Sequence, residues 1–331
     1  MAVYTEVSDE ALAGFIAEHG LGELRSFKGI AEGVENTNYM VETAHPSGAA
    51  RRYILTIYEK RVRRQDLPFF LGLMEHLAAK GIACPLPVRD SHGAQVVELE
   101  GRPAAIVTFL DGLSLRRPEP QHCALVGAAM ARLHLAALDY PLTRANALGP
   151  DGWRPLYDRF AARAGEVQPG LETAIESELA DLLPRWPQSQ PKGSLPRGVI
   201  HADLFPDNVF FLGGRLSGII DFYFACNDWL AYDIAICLNA WCFEPDFSFN
   251  VTKSQALLEG YESVRPLEPA ERAALPVLAR GAALRFLLTR AHDWLMTPKT
   301  ALVAPHDPND YLRRLRFHQR VASVRDYGLE R

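Results

Sequence analysis

The most apolar long window of the chain, residues 218–243, is interrupted by Asp221, Asn227, Asp228, Asp233 and Asn239. A bilayer interior penalises such groups heavily, so this segment is not a membrane span. It has to be the interior of a globular protein, in which each of those polar groups needs a hydrogen-bond partner. The 331 residues, 48% hydrophobic and 23% charged, suffice for one large core or for two lobes with a cleft between them.

The hydrophobic periodicity divides the chain unequally. Ser8, Glu10 and the pattern Leu12, Phe15, Ile16 predict a short opening helix that ends near Gly20 and Gly22. Residues 27–33, 38–42 and 53–58, separated by turn signals, predict an antiparallel meander. Residues 67–80 carry apolar side chains at helical spacing and stop at Gly81, and 96–100 and 104–110 are further strands split by a Gly101–Arg102 turn. Beyond residue 112 the pattern becomes helical: 121–138, 156–164, 171–183, 279–295 and 311–321. A Pro- and Ser-rich stretch, 184–198, leads into a buried strand at Val199 and Ile200. A β-rich first third before a mainly helical remainder is an α+β, two-lobed architecture. The expected boundaries are 1–105 for the first lobe, 106–112 for a hinge and 113–331 for the second lobe.

Net charge is −5 with acids and bases interspersed, which leaves no basic face for nucleic acid. The five cysteines are odd in number, lie among apolar residues and form no CxxC pair, which fits a reducing cytoplasm better than a disulfide framework. The N-terminus lacks the basic start and apolar run of a signal peptide. The expectation is a cytoplasmic protein with neither nucleic acid nor membrane as partner; oligomeric state is not encoded in any pattern read here.

Residues 199–211, VIHADLFPDNVFF, place Asp203 and Asn208 on a loop between two apolar runs, with His201 just ahead of them. After a Gly213–Gly214 turn, residues 216–223, LSGIIDFY, read as a strand that ends in Asp221. Phosphoryl transfer needs a carboxylate that orients the attacking hydroxyl and accepts its proton, and oxygen ligands that hold Mg²⁺ on the phosphates. Asp203 suits the first role, Asn208 and Asp221 the second. His201 is read as an anchor for the loop.

The spacing His-x-Asp-Leu-x-x-x-Asn equals that of the protein-kinase catalytic loop, with Ala202 in place of the usual Arg, and Asp221 stands as the Asp of an Asp-Phe-Gly motif would. The segment resembles the motif of the aminoglycoside phosphotransferase and choline kinase superfamily, whose fold is protein-kinase-like: a small antiparallel-sheet N-lobe and a larger, mainly helical C-lobe. Residues 127–134, GAAMARLH, and 107–112, VTFLDG, look like that superfamily's Leu-His helix and its hinge. Four stretches are similar to type II homoserine kinases in particular: 27–39, FKGIAEGVENTNY; 66–70, DLPFF; 201–208, HADLFPDN; and IDFYFAC at 220–226 continuing through YDIAICLN at 232–239 to Trp241 and Cys242.

That resemblance implies an enzyme that transfers the γ-phosphoryl group of ATP, with Mg²⁺, to the side-chain hydroxyl of L-homoserine, a step toward threonine. It puts Gly29, Gly33, Asn36 and Asn38 at the nucleotide loop and the backbone of Thr108 and Leu110 at the adenine. Tyr223, Asn239 and Trp241 are candidates for the acceptor pocket. The chief departure is on the strand 53–58, where a kinase carries a phosphate-gripping Lys and Thr56 stands instead. Lys28, Lys60 and Arg61 are the nearby cations, and Glu75 is the acid such a Lys would pair with. Two other readings remain at this stage: a kinase of choline, an aminoglycoside or methylthioribose, and a nucleotide-binding pseudokinase.

Overall fold

The computed structural model describes residues 5–30, 36–45, 48–59, 62–187, 195–298 and 305–329. The chain forms two compact units, Met1–Asp111 and Gly112–Arg331.

In the first unit, Ser8 caps α1 (Asp9–Glu18) by accepting a hydrogen bond from the Ala11 N–H. There follow β1 (Glu23–Gly29), β2 (Thr37–Ala44), β3 (Ala50–Ile57), α2 (Leu67–Ala79), β4 (Val97–Leu99) and β5 (Arg102–Thr108). The strands make one antiparallel sheet in the order β1-β2-β3-β5-β4. Leu12, Phe15 and Ile16 of α1 share a core with Tyr39 and Val41 of β2 and with Tyr53, Leu55 and Ile57 of β3, as the alternation on these strands predicts. β1 begins at Glu23, ahead of the expected Phe27. It is an edge strand whose first residues are mostly exposed, so apolar alternation does not announce it.

The second unit contains α3 (Pro120–Ala136), α4 (Pro150–Asp158), the single turn α5 (Ala164–Val167), α6 (Leu171–Leu182), β6 (Arg197–Ile200), β7 (Val209–Leu212), β8 (Arg215–Ile219), β9 (Cys226–Trp229), α7 (Leu230–Trp241), α8 (Val251–Glu262), α9 (Pro269–Met296) and α10 (Asn309–His318). β6 pairs with β9 and β7 with β8, both antiparallel. Glycine brings α3 and α8 into backbone contact: a methyl group at Gly127 would lie 2.0 Å from the Leu257 carbonyl oxygen, and one at Gly260 would lie 2.2 Å from that of Ala124.

Three expectations are corrected here. The helix expected over 156–164 is α4, which opens at Pro150, where a proline at N1 costs no hydrogen bond, and ends at Asp158. The run 279–295 is the later part of α9, a 28-residue helix that carries Pro276 within it. The strand expected to reach Asp221 stops at Ile219, because Asp221 adopts a left-handed conformation (φ 63°) that no strand accommodates.

The apolar window 218–243 is largely buried, and most of its polar groups have partners, although Oδ1 of Asn239 is buried without one among the described residues. Asn227 Oδ1 accepts from the Arg144 N–H at 2.8 Å, and Asp228 accepts from Asn146 Nδ2 at 2.8 Å. Burial raises the pKa of Asp228, and the bonds from Asn146 and from the Trp229 N–H act against that rise. Asn239 donates to the carbonyls of Ala235 at 3.0 Å and Ala279 at 3.1 Å, which ties α7 to α9. Asp221 is exposed at the surface.

Candidate active site

The chain leaves β6 at His201, turns, and re-enters sheet at Val209, so residues 201–208 form a loop over the N-terminal part of α7. Asp233, fully buried on α7, holds the first turn of this loop: Oδ2 accepts from the His201 N–H at 2.9 Å and Oδ1 from the Ala202 N–H at 2.8 Å. His134, at the end of α3, contacts Oδ2 through Nε2 at 3.1 Å and Tyr261 through Nδ1 at 2.8 Å. Burial by itself would raise the pKa of Asp233, but the His134 contact, the two imidazoles and the His201 N–H outweigh it and hold the carboxyl below its ordinary range.

Residues 233, 237 and 241 stand on one face of α7 at successive i, i+4 spacing, and all three reach the loop. Cys237 Sγ lies 3.6 Å from the Leu204 carbonyl, and the Trp241 indole donates to the same oxygen at 2.8 Å. Arg285 of α9, 2% exposed, donates to the Ala202 carbonyl. Ala202 itself has φ 61°, a left-handed conformation that costs energy for a residue with a Cβ. The bonds from Asp233 and Arg285 to its N–H and carbonyl hold it there.

His201 ties this loop to the strand end that carries Asp221. Its Nε2–H donates to the Ile220 carbonyl at 2.9 Å, and Nδ1 accepts from the Asp203 N–H at 3.3 Å. That pairing describes a neutral imidazole, and burial lowers the His201 pKa, with the Asp233 charge acting in opposition. The Ile220 N–H in turn donates to the Asn208 carbonyl at 3.0 Å, so one residue links Asn208, His201 and Asp221.

Asp203 is half-buried. Asn208 Nδ2 donates to its carbonyl at 2.8 Å and approaches its carboxylate at 3.4 Å. With the amide nitrogen so committed, Oδ1 is the atom of Asn208 that could face a cation. An amide oxygen and the exposed carboxylate of Asp221 form an oxygen donor set, the kind a hard divalent cation takes when phosphates supply further ligands. The residues present therefore fit Mg²⁺.

The other candidate residues have varied surroundings. Tyr223 lies half-buried in the helical turn after Asp221. Asn239 and Trp241 are 0% and 1% exposed and are bonded to backbone carbonyls, which places both inside the fold, Trp241 beneath the loop and Asn239 against α9. In the first unit, Gly29 ends β1 opposite Tyr39. Asn36 Oδ1 accepts from the Glu59 N–H at 3.3 Å, and Asn38 Oδ1 accepts from Thr56 Oγ1 at 2.8 Å, so both brace β2 against β3. The Thr108 N–H donates to the Leu86 carbonyl at 3.0 Å, whereas nothing among the described residues bonds to the Leu110 N–H. Gly33, Lys60 and Arg61 lie outside the described residues. Lys28 is exposed, and Glu75 pairs with Arg89 at 2.7 Å.

Sequence reasoning missed Arg285, although a lone cation in the apolar run AALRFLL is a signal that something nearby needs a buried donor. It also missed Glu59, which accepts from Thr5 at 2.7 Å and Thr37 at 2.9 Å and pairs with Arg102 at 2.9 Å. No periodicity marks such a residue.

Residues 26–267 match the phosphotransferase enzyme family, and the chain belongs to that family. Within it, the chain is 61% identical to the homoserine kinase of Xanthobacter autotrophicus over 99% of both chains. It is likewise 61% identical to the homoserine kinase of Bradyrhizobium diazoefficiens, over 99% of this chain and 98% of that one. Among solved structures, the microcompartment-associated aminopropanol kinase is similar in fold with a TM-score of 0.71 at 19% identity, covering 97% of this chain and 99% of the other. The fold is thus the two-lobed, protein-kinase-like one, with an antiparallel sheet in the first unit and a mainly helical second unit.

Proposed function

We propose that this chain is a homoserine kinase that transfers the γ-phosphoryl group of ATP to the hydroxyl of L-homoserine. The observation that carries this reading is the full-length identity of 61% with homoserine kinases, in a chain whose second unit joins Asp203 and Asn208 on one braced loop. The acceptor oxygen forms a bond to the γ-phosphorus while the bond from that phosphorus to the leaving ADP oxygen breaks, and the hydroxyl proton passes to Asp203. Asn208 and Asp221 would hold Mg²⁺, which when bound would neutralise charge on the transferring phosphates. The attachment of the loop to Asp233, Arg285 and Trp241 keeps Asp203 in place, so positioning contributes beside proton acceptance.

Nucleotide contacts come from the first unit: the backbone near Gly29 and Gly33, Asn36 and Asn38 at the start of β2, and the hinge backbone at Thr108 and Leu110, with Leu110 the better donor because the Thr108 N–H is already used. Tyr223 is the candidate acceptor contact that keeps partial exposure. The five free cysteines suit a cytoplasmic enzyme. The purified protein with MgATP should phosphorylate L-homoserine and leave choline and aminoglycosides essentially untouched in a screen of ADP release. Turnover of choline or an aminoglycoside with homoserine inert at millimolar concentration would sink the substrate assignment.

A further inference from the structure

Homoserine carries a carboxylate and an ammonium at the end of the molecule opposite its hydroxyl, and a site that leaves either charge unpaired loses affinity. Asp203 is suited to the hydroxyl and not to the carboxylate, which it repels. A cationic group must therefore stand a short way from the loop, since only three carbons, roughly 5 Å of chain, separate the hydroxyl oxygen from the carboxyl carbon.

α9 and α10 supply such a group. The guanidinium carbons of Arg290 and Arg314 each lie 4.6 Å from the centre of the Tyr311 ring. A line of rings connects that place to the catalytic loop: Phe205 packs on Phe286 at 5.0 Å, and Phe286 on Tyr311 at 5.1 Å. Arg290 is close enough to Asp203 to feel its charge, and Tyr311 likewise. Among the described residues, Arg290 has one ion-pair contact, a long one with Asp310 at 3.4 Å, and Nε of Arg314 is buried without a hydrogen-bond partner. Two guanidinium groups on one ring repel each other, and burial adds to the cost of their charge. An arriving carboxylate relieves both penalties and can take two parallel N–H donors from one guanidinium fork.

We infer that Arg290, supported by Arg314 across Tyr311, seats the α-carboxylate of the acceptor so that its hydroxyl lies at Asp203, an assignment that rests on the homoserine kinase reading. Phe205, half-buried two residues after Asp203, offers apolar surface to the methylenes. Arg290 is a specificity determinant in this scheme, because an amino alcohol that lacks the carboxylate gains nothing from it.

The test compares L-homoserine with 3-aminopropan-1-ol, the same molecule without its carboxylate, in wild type, Arg290→Gln and Arg290→Lys. In Arg290→Gln the ratio of kcat/KM for homoserine to that for aminopropanol should fall on the order of a hundredfold, through the KM for homoserine, with the KM for ATP close to wild type. Arg290→Lys, which keeps the charge and loses the fork, should fall between. The ratio is internal to each protein preparation, so a partly unfolded variant lowers both terms and leaves the ratio intact. An unchanged ratio overturns the inference, and so does a rise confined to the KM for ATP, which would assign Arg290 to the phosphates. Failure of the homoserine kinase reading shows separately, as wild-type protein inert toward homoserine.

Discussion

The strand pair β2–β3 and the loop between β6 and β7 are both polar places in apolar surroundings, held by opposite means. At β3 the side chain that faces Asn38 is the neutral hydroxyl of Thr56, and the nearby acids already have cations of their own unit: Glu59 pairs with Arg102 and Glu75 with Arg89. In the loop, the buried carboxylate of Asp233 faces two backbone N–H groups and an imidazole, with no Lys or Arg opposite it. A carboxylate paired with a long, partly exposed Arg restricts the backbone little, whereas one that accepts two adjacent N–H groups dictates the conformation of those residues. The ionised groups that fix a catalytic conformation belong to the second unit, and the first unit uses neutral contacts where a kinase strand usually carries Lys.

That contrast can be broken by substitution. Asp203→Asn removes the proton acceptor and should lower kcat by about a hundred- to ten-thousand-fold with little change in the KM for ATP. Steady-state rates near wild type would show that the second unit does not own the chemistry.

Asp233→Ala leaves the His201 and Ala202 N–H groups and Nε2 of His134 without their carboxylate partner in a dry interior. It should cost roughly 3–5 kcal/mol of stability, read from denaturant unfolding, and reduce turnover even where the protein stays folded. A loss of under about 1 kcal/mol, the scale of a single neutral hydrogen bond, would erase the distinction between the two regions.

Acid should sharpen the contrast. His318, buried with Nδ1 against the Tyr327 hydroxyl at 2.8 Å and Nε2 unpartnered, has its pKa lowered by burial to about 3. The unfolded chain binds a proton at this residue near pH 6.5 and the folded chain does not. The unfolded state therefore holds more protons between these values, so stability is full above about pH 6.5 and is lost as the pH falls toward about 3. Calorimetric melting at pH 7 and pH 4.5 should show a smaller drop for His318→Gln than for wild type. Equal drops would remove His318 from the account.

Thr56→Val, which deletes the hydrogen bond to Asn38 in the first unit, should have the smallest effect: a stability loss of about 1 kcal/mol. A loss as large as that of Asp233→Ala would make the two regions energetically alike.

Much of this was legible because it is local. The α1 cap at Ser8, the alternation on β2 and β3, and the spacing of Asp203 and Asn208 depend on neighbours a few residues away. The apolar window 218–243 likewise required partners for its polar groups before any partner was known. The end of β8 was harder to read. Residues 216–223 look like one strand because nothing in the letters shows that Asp221 turns left-handed, and that turn depends on Ile220 being bonded to both Asn208 and His201.

The sequence by itself determined the chemistry on offer: a carboxylate, an amide and a second carboxylate in order, a neutral residue on the third strand, and a chain that is β-rich first and helical after. The tertiary structure decided which groups are available for it. It sent Trp241 beneath the loop and Asn239 against α9, committed Asn38 to Thr56, and brought Arg285, Arg290 and Arg314 from the last third of the chain toward residues 201–208 or the line of rings that packs against them. The reason is physical: a hydrogen-bond or charge partner across about a hundred residues is chosen by the packing of helices, and the cost of leaving a buried polar atom unpaired then settles which side chains remain free to meet a ligand.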